Sequence, residues 1–216
     1  MTILALDTTA EFGSIALRQD DETIAERVLH SPDGFAHVLF QAIAEVLDSA
    51  RIGLEEIDIF AAASGPGSFT GVRVGLAAAK GLAEAGGKRA YGISTLRALS
   101  SFGRAKHRAA IIDARRGEVF AGVYDADQHL VMPESVGPLP AWLAHLPASV
   151  EEFVIFAGSP FVNALPGLPC TETSRSLAAA IARCAARDFG DGIDGNPAEV
   201  DANYVRRPDA ELFARI

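Results

Sequence analysis

The chain is poor in cysteine and lacks any long apolar run. Its 216 residues include two cysteines, Cys170 and Cys184, with no C-x-x-C pair, and this usage is typical of a reducing compartment. No stretch of about 18 apolar residues occurs, so we expect no membrane span. The first residues form an apolar run without a preceding basic segment, so we expect no signal peptide. These absences together predict a cytoplasmic protein.

Motifs for metal or nucleophilic catalysis are also missing. No two of the five histidines lie three to five positions apart, which excludes H-E-x-x-H and other helical zinc pairs. No G-x-S-x-G motif occurs, and Ser68, in a glycine-rich segment, has no assigned base. We therefore expect no metal site and no self-contained peptidase.

Positive charge is scarce as well. The chain has 19 basic and 28 acidic residues and a net charge of −9, whereas proteins that bind nucleic acid unaided are usually basic. Autonomous binding of RNA or DNA is therefore disfavoured. A local basic patch, or a complex in which a partner supplies the positive charge, would still allow it.

The first half of the chain has the pattern of an α/β lobe. Short apolar runs and tight turns predict an antiparallel meander, and apolar residues at helical spacing predict an amphipathic helix after it. Crossover helices between further strands then favour a mixed sheet covered by helices. In chain order the predicted elements are strands 2–7, 13–19 and 23–29, helix 36–50, strand 58–63, helix 72–86, strand 90–93 and a helix to about 101, capped by Ser94 or Thr95.

A second, smaller lobe is expected after residue 103. The predicted domains are therefore 1–103 and 104–216, and the terminal segment of the second is allowed to pack back on the first lobe. Proline is frequent from 133 to 169, which favours irregular loops there. The predicted elements are a hairpin of strands 108–113 and 118–125, strands 129–132 and 153–157, helix 176–188 and a last edge strand at Tyr204-Val205-Arg206.

Two segments have the composition of phosphate-binding turns. Residues 64–73 read S-G-P-G-S-F-T-G-V-R between a predicted strand and a predicted helix, where free N–H groups favour an anion. The spacing G-x-G-x-x-x-G matches neither the dinucleotide fingerprint nor a P-loop, so a tight turn without ligand is equally open. Asp7-Thr8-Thr9 could likewise receive a phosphate or a metal-bound water, or form an Asx or ST turn on its own backbone.

Two further patterns allow either a partner or an ordinary structural role. Gly71, Gly75, Ala78 and Leu82 share one stripe of the predicted helix 72–86, and small residues let another element approach closely. That element is either the lobe's own sheet or a partner subunit. The sequence D-A-R-R-G-E at 113–118 could bind a phosphate or a partner's acidic group, or be a solvated turn.

Several segments together resemble one family, the bacterial tRNA threonylcarbamoyladenosine biosynthesis proteins TsaB, also called YeaZ. The resemblance covers most of the first lobe and the start of the second. The matching segments are I-L-A-L-D-T-T at 3–9, G-P-G-S-F-T-G-V-R-V-G-L-A at 65–77, K-G-L-A at 80–83, G-I-S-T-L at 92–96 and D-A-R-R-G-E-V at 113–119.

The resemblance implies the fold of actin, Hsp70 and the sugar kinases (ASKHA), with two lobes that each contain a mixed sheet. It also implies kinship with TsaD, the catalytic member of the pathway. The metal-binding H-x-x-x-H of TsaD-like proteins would align with Thr95 and Leu99 here, and neither side chain can replace an imidazole ligand. The expected protein is therefore a pseudo-enzyme without catalytic residues, metal or cofactor, and ATP or ADP binding by the isolated chain is left open.

The function implied is a non-catalytic partner of TsaD, assisted by the ATPase TsaE. Together they would transfer a threonylcarbamoyl group to adenosine 37 of tRNAs that read ANN codons, and tRNA would be contacted only within the complex. TsaD would dock on a two-helix face at about 36–50 and 70–86. Two copies of this chain would use the same face to form a homodimer when TsaD is absent. The candidate contacts are Phe69, Arg73, Val74, Gly75, Ala77, Ala78, Lys80, Leu39 and Ile43.

The same resemblance implies a vestigial nucleotide site between the lobes. Its candidate residues are Asp7, Thr8, Thr9, Gly65, Gly67 and Ser68. An alternative function follows from them: a small nucleotide-dependent phosphotransferase or ATPase of the same fold that uses Asp7, Thr8 and the glycine-rich loop.

Overall fold

The computed structural model describes residues 1–205 and contains two five-stranded sheets. In the first sheet, β1 to β3 form the predicted antiparallel meander, and β4 and β5 run parallel to β1. The strand order is β3-β2-β1-β4-β5. The strands are β1 (Thr2–Asp7), β2 (Phe12–Gln19), β3 (Glu22–His30), β4 (Ile59–Gly65) and β5 (Arg89–Ser94).

Two helices cross over the outer face of this sheet. Helix α1 (Leu39–Ala50) joins β3 to β4, and α2 (Phe69–Gly86) joins β4 to β5. Helix α2 begins three residues before its predicted start because the Ser68 hydroxyl accepts a hydrogen bond from the Gly71 N–H and caps the helix. It ends at Gly87, whose φ of 63° is the left-handed conformation common at helix ends.

The second sheet repeats the strand order of the first. Its order is β10-β9-β6-β7-β8, with β6–β8 antiparallel and β9 and β10 parallel to β6. If β6 takes the place of β1, the two orders coincide, although the two sequences show no repeat. The strands are β6 (His107–Arg115), β7 (Glu118–Asp125), β8 (Leu130–Pro138), β9 (Glu152–Phe156) and β10 (Cys170–Thr173).

The proline-rich region is more ordered than its composition predicts. Strand β8 continues through Pro133 to Pro138, and the short helix α4 (Leu139–Leu143) follows within the expected loops. Strand β8 lies at a sheet edge, where proline is tolerated because one side of the strand needs no hydrogen bonds to a neighbour. The prediction of irregular structure was therefore wrong for these elements.

Helices α3 (Thr95–Ser100) and α5 (Ala178–Gly190) lie between the two sheets. Their apolar residues share one core with the inner faces of both sheets, while α1 and α2 cover the outside of the first sheet and α4 the outside of the second. Arg97 of α3 donates two hydrogen bonds to the carboxylate of Asp188 of α5, at 2.9 and 2.6 Å. This bidentate ion pair fixes the two middle helices against each other.

The last described residues, 193–205, form a segment along β5 that includes a 3-10 turn at Pro197–Glu199. We call this segment the strap. The Ala90 N–H donates to the carbonyl of Gly195, and the Asn203 N–H donates to the carbonyl of Ser64, at 2.8 and 2.7 Å. The predicted edge strand at Tyr204-Val205 is not a strand, and Arg206 lies outside the described residues. The division into domains 1–103 and 104–216 stays a prediction.

Candidate functional site

A cleft of about 890 Å³ opens between the two lobes. It lies where β1 and β6 end, so the β1–β2 turn and the β6–β7 turn, equivalent positions in the repeated strand order, both line it. Polar groups come from these turns and from the loop before α2, and apolar walls come from both lobes. The residues that line the cleft include Asp7, Thr8, Thr9, Gly67, Ser68, Phe69, Asp113, Arg115, Asn203 and Tyr204.

Asp7, at the end of β1, is 2% exposed and engaged by its own turn. Its Oδ1 accepts hydrogen bonds from the N–H of Thr9 at 3.0 Å and from the hydroxyl of Thr9 at 2.7 Å. Burial raises the pKa of the Asp7 carboxyl, and the bonds from Thr9 offset only part of that effect. Asp7-Thr8-Thr9 thus forms an Asx-type turn, one of the two structures predicted for it. This turn places the Asp7 carboxyl at the cleft.

The glycines of the loop before α2 are required by close backbone contacts. A Cβ on Gly71 would lie 1.9 Å from the carbonyl oxygen of Thr8, and one on Gly67 would lie 2.7 Å from that of Thr9. The Ser68 N–H donates to the Thr9 carbonyl at 2.7 Å, and the Thr8 hydroxyl donates to the Gly71 carbonyl at 2.6 Å. This loop is therefore packed on the β1–β2 turn, as the tight-turn reading predicts. Gly65, with a φ of +103°, lies against the strap residue Asn203.

The β6–β7 turn faces this assembly across the cleft. Asp113 accepts a hydrogen bond from the N–H of Arg115 at 2.7 Å and so fixes its own turn. Arg115 and Arg116 both have left-handed backbones, with φ of 67° and 55°, a conformation costly for residues other than glycine. Because Asp113 and Arg115 line the cleft, the turn is part of its wall as well as a hairpin connection.

The described residues offer no cluster suited to a metal ion. Within 1–205, no three His, Cys, Asp or Glu side chains gather closely enough to form such a site. Thr95 and Leu99, which were expected to align with the metal-binding histidines of TsaD-like proteins, are buried in α3. In the same part of the chain, no helix is both long and apolar enough to cross a bilayer.

The two-helix face contains only some of its predicted contact residues. Leu39, Ile43, Gly75 and Ala78 are buried in the core beneath α1 and α2, where a Cβ on Gly75 would lie 2.5 Å from the Thr8 hydroxyl. The stripe of Gly71, Gly75 and Ala78 thus packs on the lobe's own sheet. Because Leu39, Ile43, Gly75 and Ala78 are covered by their own lobe, a contact between them and a partner stays a prediction. The exposed stripe of α2 is a different one, formed by Phe69, Arg73, Ala77 and Gly81, with Val74 half-buried beside it.

The strap runs beside that exposed stripe. Lys80, another predicted contact, donates from Nζ to the carbonyl of Val200 at 2.7 Å. Two helical turns earlier, Arg73 donates from Nε to the hydroxyl of Tyr204 at 2.9 Å. The Arg73 guanidinium carbon lies 3.6 Å from the centroid of the Phe69 ring. The strap therefore contributes side chains to the surface that the sequence assigned to the helices alone.

Glu134 of β8 connects the strap with both lobes, and the sequence analysis did not predict this role. Its carboxylate accepts hydrogen bonds from the hydroxyls of Ser94 and Tyr124 and from the side-chain amide of Asn203. Burial and the adjacent Glu134 charge strongly raise the pKa of Tyr124, so its hydroxyl stays protonated and donates. No local motif links these residues, because each comes from a different element.

Comparison with known proteins identifies the relatives of this chain. It is 33% identical over 163 residues to the tRNA threonylcarbamoyladenosine biosynthesis protein TsaB of Bacillus subtilis, an alignment that covers 73% of this chain and 71% of that protein. The chain belongs to the TsaB (YeaZ) family. YeaZ from Pseudomonas aeruginosa has a solved structure that matches with a TM-score of 0.81 at 28% identity, over 94% of this chain and 99% of the other.

Two further similarities concern the family and the fold of this chain. The family model of TsaD, tRNA N6-adenosine threonylcarbamoyltransferase, matches residues 31–148, a span that contains α1, α2 and the β6–β7 turn. A second Pseudomonas aeruginosa structure, of a protein described as similar to the peptidase YeaZ, matches with a TM-score of 0.80 at 27% identity, over 95% of this chain and 99% of that one. The two mixed sheets flanked by helices confirm the fold expected of this family.

Proposed function

We propose that this chain acts in the formation of threonylcarbamoyladenosine on tRNA as a non-catalytic partner of a TsaD protein. The observation that carries the proposal is the exposed stripe of α2, which lies inside the segment matched by the TsaD family model. A TsaD protein has a counterpart of this segment. Two related two-helix faces can therefore pair with each other through an approximate twofold axis.

The shape of the stripe supports this use. Ala77 and Gly81 are exposed one turn apart, and the space above Gly81 is open. A partner helix can therefore approach the backbone of α2 closely, with dispersion contacts over the full length of the crossing. Phe69 and Arg73 stand at one end of this stripe and supply the larger side chains. The same surface serves a homodimer when TsaD is absent, since two copies of the face are also complementary.

The proposal assigns catalysis and most tRNA contacts to other subunits. Thr95 and Leu99 replace the histidines of the TsaD-like metal site, and Asp7 is held by Thr9. The net charge of −9 opposes phosphate binding by the free chain, so tRNA is contacted within the complex. TsaE joins the same assembly as the ATPase component.

Reconstitution with the cognate TsaD tests the proposal. We expect a complex by light scattering at micromolar concentration, and modification of tRNA by the mixture with TsaE but not by this chain alone. Ala77→Arg should abolish the complex without lowering the melting temperature, because Ala77 is exposed. Ala144→Arg, at an exposed alanine after α4 in the other lobe, is the matched control. Modification by the chain alone, or the absence of any complex for the wild type, would refute the proposal.

The inter-lobe cleft supports a second candidate, nucleotide binding by the free chain. Its size of about 890 Å³ is within the range of ligand pockets, and Asp7, Thr8 and Ser68 all line it. Titration calorimetry with ATP and Mg²⁺ tests this alternative directly. Tight binding by the isolated chain, lost in Asp7→Ala, would favour a phosphotransferase or ATPase.

A further inference from the structure

Phe69, Arg73 and Tyr204 form one exposed cluster at the first turn of α2. The Phe69 and Tyr204 ring centroids are 5.9 Å apart, and the Arg73 guanidinium carbon lies 3.6 Å from the first centroid and 5.7 Å from the second. A hydrogen bond of 2.9 Å from Arg73 to the Tyr204 hydroxyl completes the cluster. Arg73 and Tyr204 lie 131 residues apart in sequence, so the strap must be in place for the cluster to exist.

The contacts fix these side chains without burying them. Phe69 remains 45% exposed and Tyr204 44% exposed. Aromatic rings and arginine are the side chains that most often dominate the energy of protein interfaces, and residues held in place before binding lose less entropy on association. A pre-ordered, half-exposed group of this composition has the properties of a binding hot spot.

The position of the strap leaves the cluster accessible. Val200 contacts Lys80 and Asn203 contacts Ser64, so the strap runs along the side of α2 that faces β5. Ala77 and Gly81 stay open beside it. The strap therefore widens the exposed stripe at the Phe69 end instead of covering it.

We propose that Tyr204 is a direct contact residue for the partner, so that the docking surface consists of α2 together with the strap. The inference rests on the proposed function, since the partner is taken to be a TsaD protein whose two-helix face meets the exposed stripe. The cluster is continuous with that stripe, since Phe69 and Arg73 belong to both, and this continuity makes the Tyr204 ring part of the same contact.

Affinity measurements on single variants with the cognate TsaD test the inference. We expect Tyr204→Ala to weaken the complex by about tenfold or more and to leave the melting temperature unchanged. Tyr204→Phe, which keeps the ring and loses only the hydroxyl, should weaken it far less. Phe189→Ala is the control: it removes a ring that is 38% exposed and stacked with Arg89, at the opposite end of the first sheet, and should have no effect.

A wild-type complex that Tyr204→Ala leaves unchanged overturns the inference and leaves the proposed function standing. Tighter binding by Tyr204→Ala also overturns it, because the strap would then compete with the partner. A wild type that forms no complex refutes the proposed function itself.

Discussion

The side-chain amide of Asn203 donates a hydrogen bond of 2.6 Å to Oε2 of Glu134. This bond joins the strap, which lies on the first sheet, to strand β8 of the second sheet. Oε1 of the same carboxylate accepts from Ser94 and Tyr124, so one side chain holds three segments of the chain together. The strap is thus secured from both lobes at once.

Replacement of Glu134 should release the strap. In Glu134→Ala the three donors lose their common acceptor, and each unsatisfied donor costs about 1–3 kcal/mol where it remains buried. We expect faster hydrogen exchange at the Asn203 N–H and a lower melting temperature. Glu172→Ala, which removes an exposed carboxylate from β10, should change neither. Unaltered protection of Asn203 in Glu134→Ala would show that the backbone bond to Ser64 suffices.

Glycine-to-alanine substitutions on the two sides of α2 should change the free energy of unfolding in opposite directions. Gly71→Ala places a Cβ 1.9 Å from the Thr8 carbonyl oxygen, so the β1–β2 turn has to move, and we expect a loss of at least about 2 kcal/mol in unfolding free energy. Gly81→Ala points into open space and should gain about 0.5–1 kcal/mol from helix propensity. Urea unfolding of both variants measures the difference, and equal effects would contradict the assigned faces.

Asp7 should make the protein less stable as pH rises. Burial raises its pKa above the ordinary 3.8, so the folded state binds this proton more tightly than the unfolded state does. The unfolding free energy therefore falls as pH increases from about that value through the raised folded pKa. Asp7→Asn, which keeps an acceptor for Thr9, should be more stable than wild type at about pH 7, with a smaller gain at about pH 4.

Glu152 provides a control of opposite sign for the Asp7 experiment. Burial by itself would raise the pKa of Glu152. Hydrogen bonds from Thr171 and from the N–H groups of Ala105 and Arg104 outweigh this effect and lower the pKa below the ordinary 4.5. Its contribution is present above that value and is lost as pH falls through the lower folded pKa. Glu152→Gln should therefore be less stable than wild type at neutral pH, with the deficit shrinking in acid. Parallel pH dependences for the two variants would disprove the assignment.

Loss of one partner from the Arg97–Asp188 pair should be costly. Asp188→Ala leaves the guanidinium of Arg97 between the sheets without its carboxylate, and breaking a buried pair in this way typically costs about 3–5 kcal/mol. The double change Arg97→Met with Asp188→Leu should recover most of that loss, because no uncompensated charge remains. Thermal unfolding of the single and double variants checks both parts. A double variant no better than Asp188→Ala would point to lost packing as the cause.

The fold was predictable where its signals are local. The meander, the crossover helices and the cap at Ser94 follow from short apolar runs, turn residues and helical spacing, and the structure confirms them. Helix α4 and strand β10 were missed because both segments are short, and α4 also contains a proline. Their structure depends on packing against the second sheet, which no local pattern encodes.

The candidate surface was predictable only in part. Small residues occupy both the inner stripe of α2, at Gly71 and Gly75, and the outer one, at Ala77 and Gly81, so composition alone could not decide which side faces a partner. Contact between Tyr204 and Arg73 spans 131 positions, and that between Asn203 and Glu134 spans 69. Such pairs are fixed by the tertiary fold, so a reading of the sequence segment by segment could not find them.

The shared strand order of the two sheets has an evolutionary consequence. A gene that encoded one such half could have produced the entire architecture as a symmetric pair of identical chains, with the cleft on the symmetry axis. Fusion of two copies would then have freed each half to diverge. In the present chain the divergence is visible at the two equivalent turns: one buries its aspartate, and the other presents arginines to solvent.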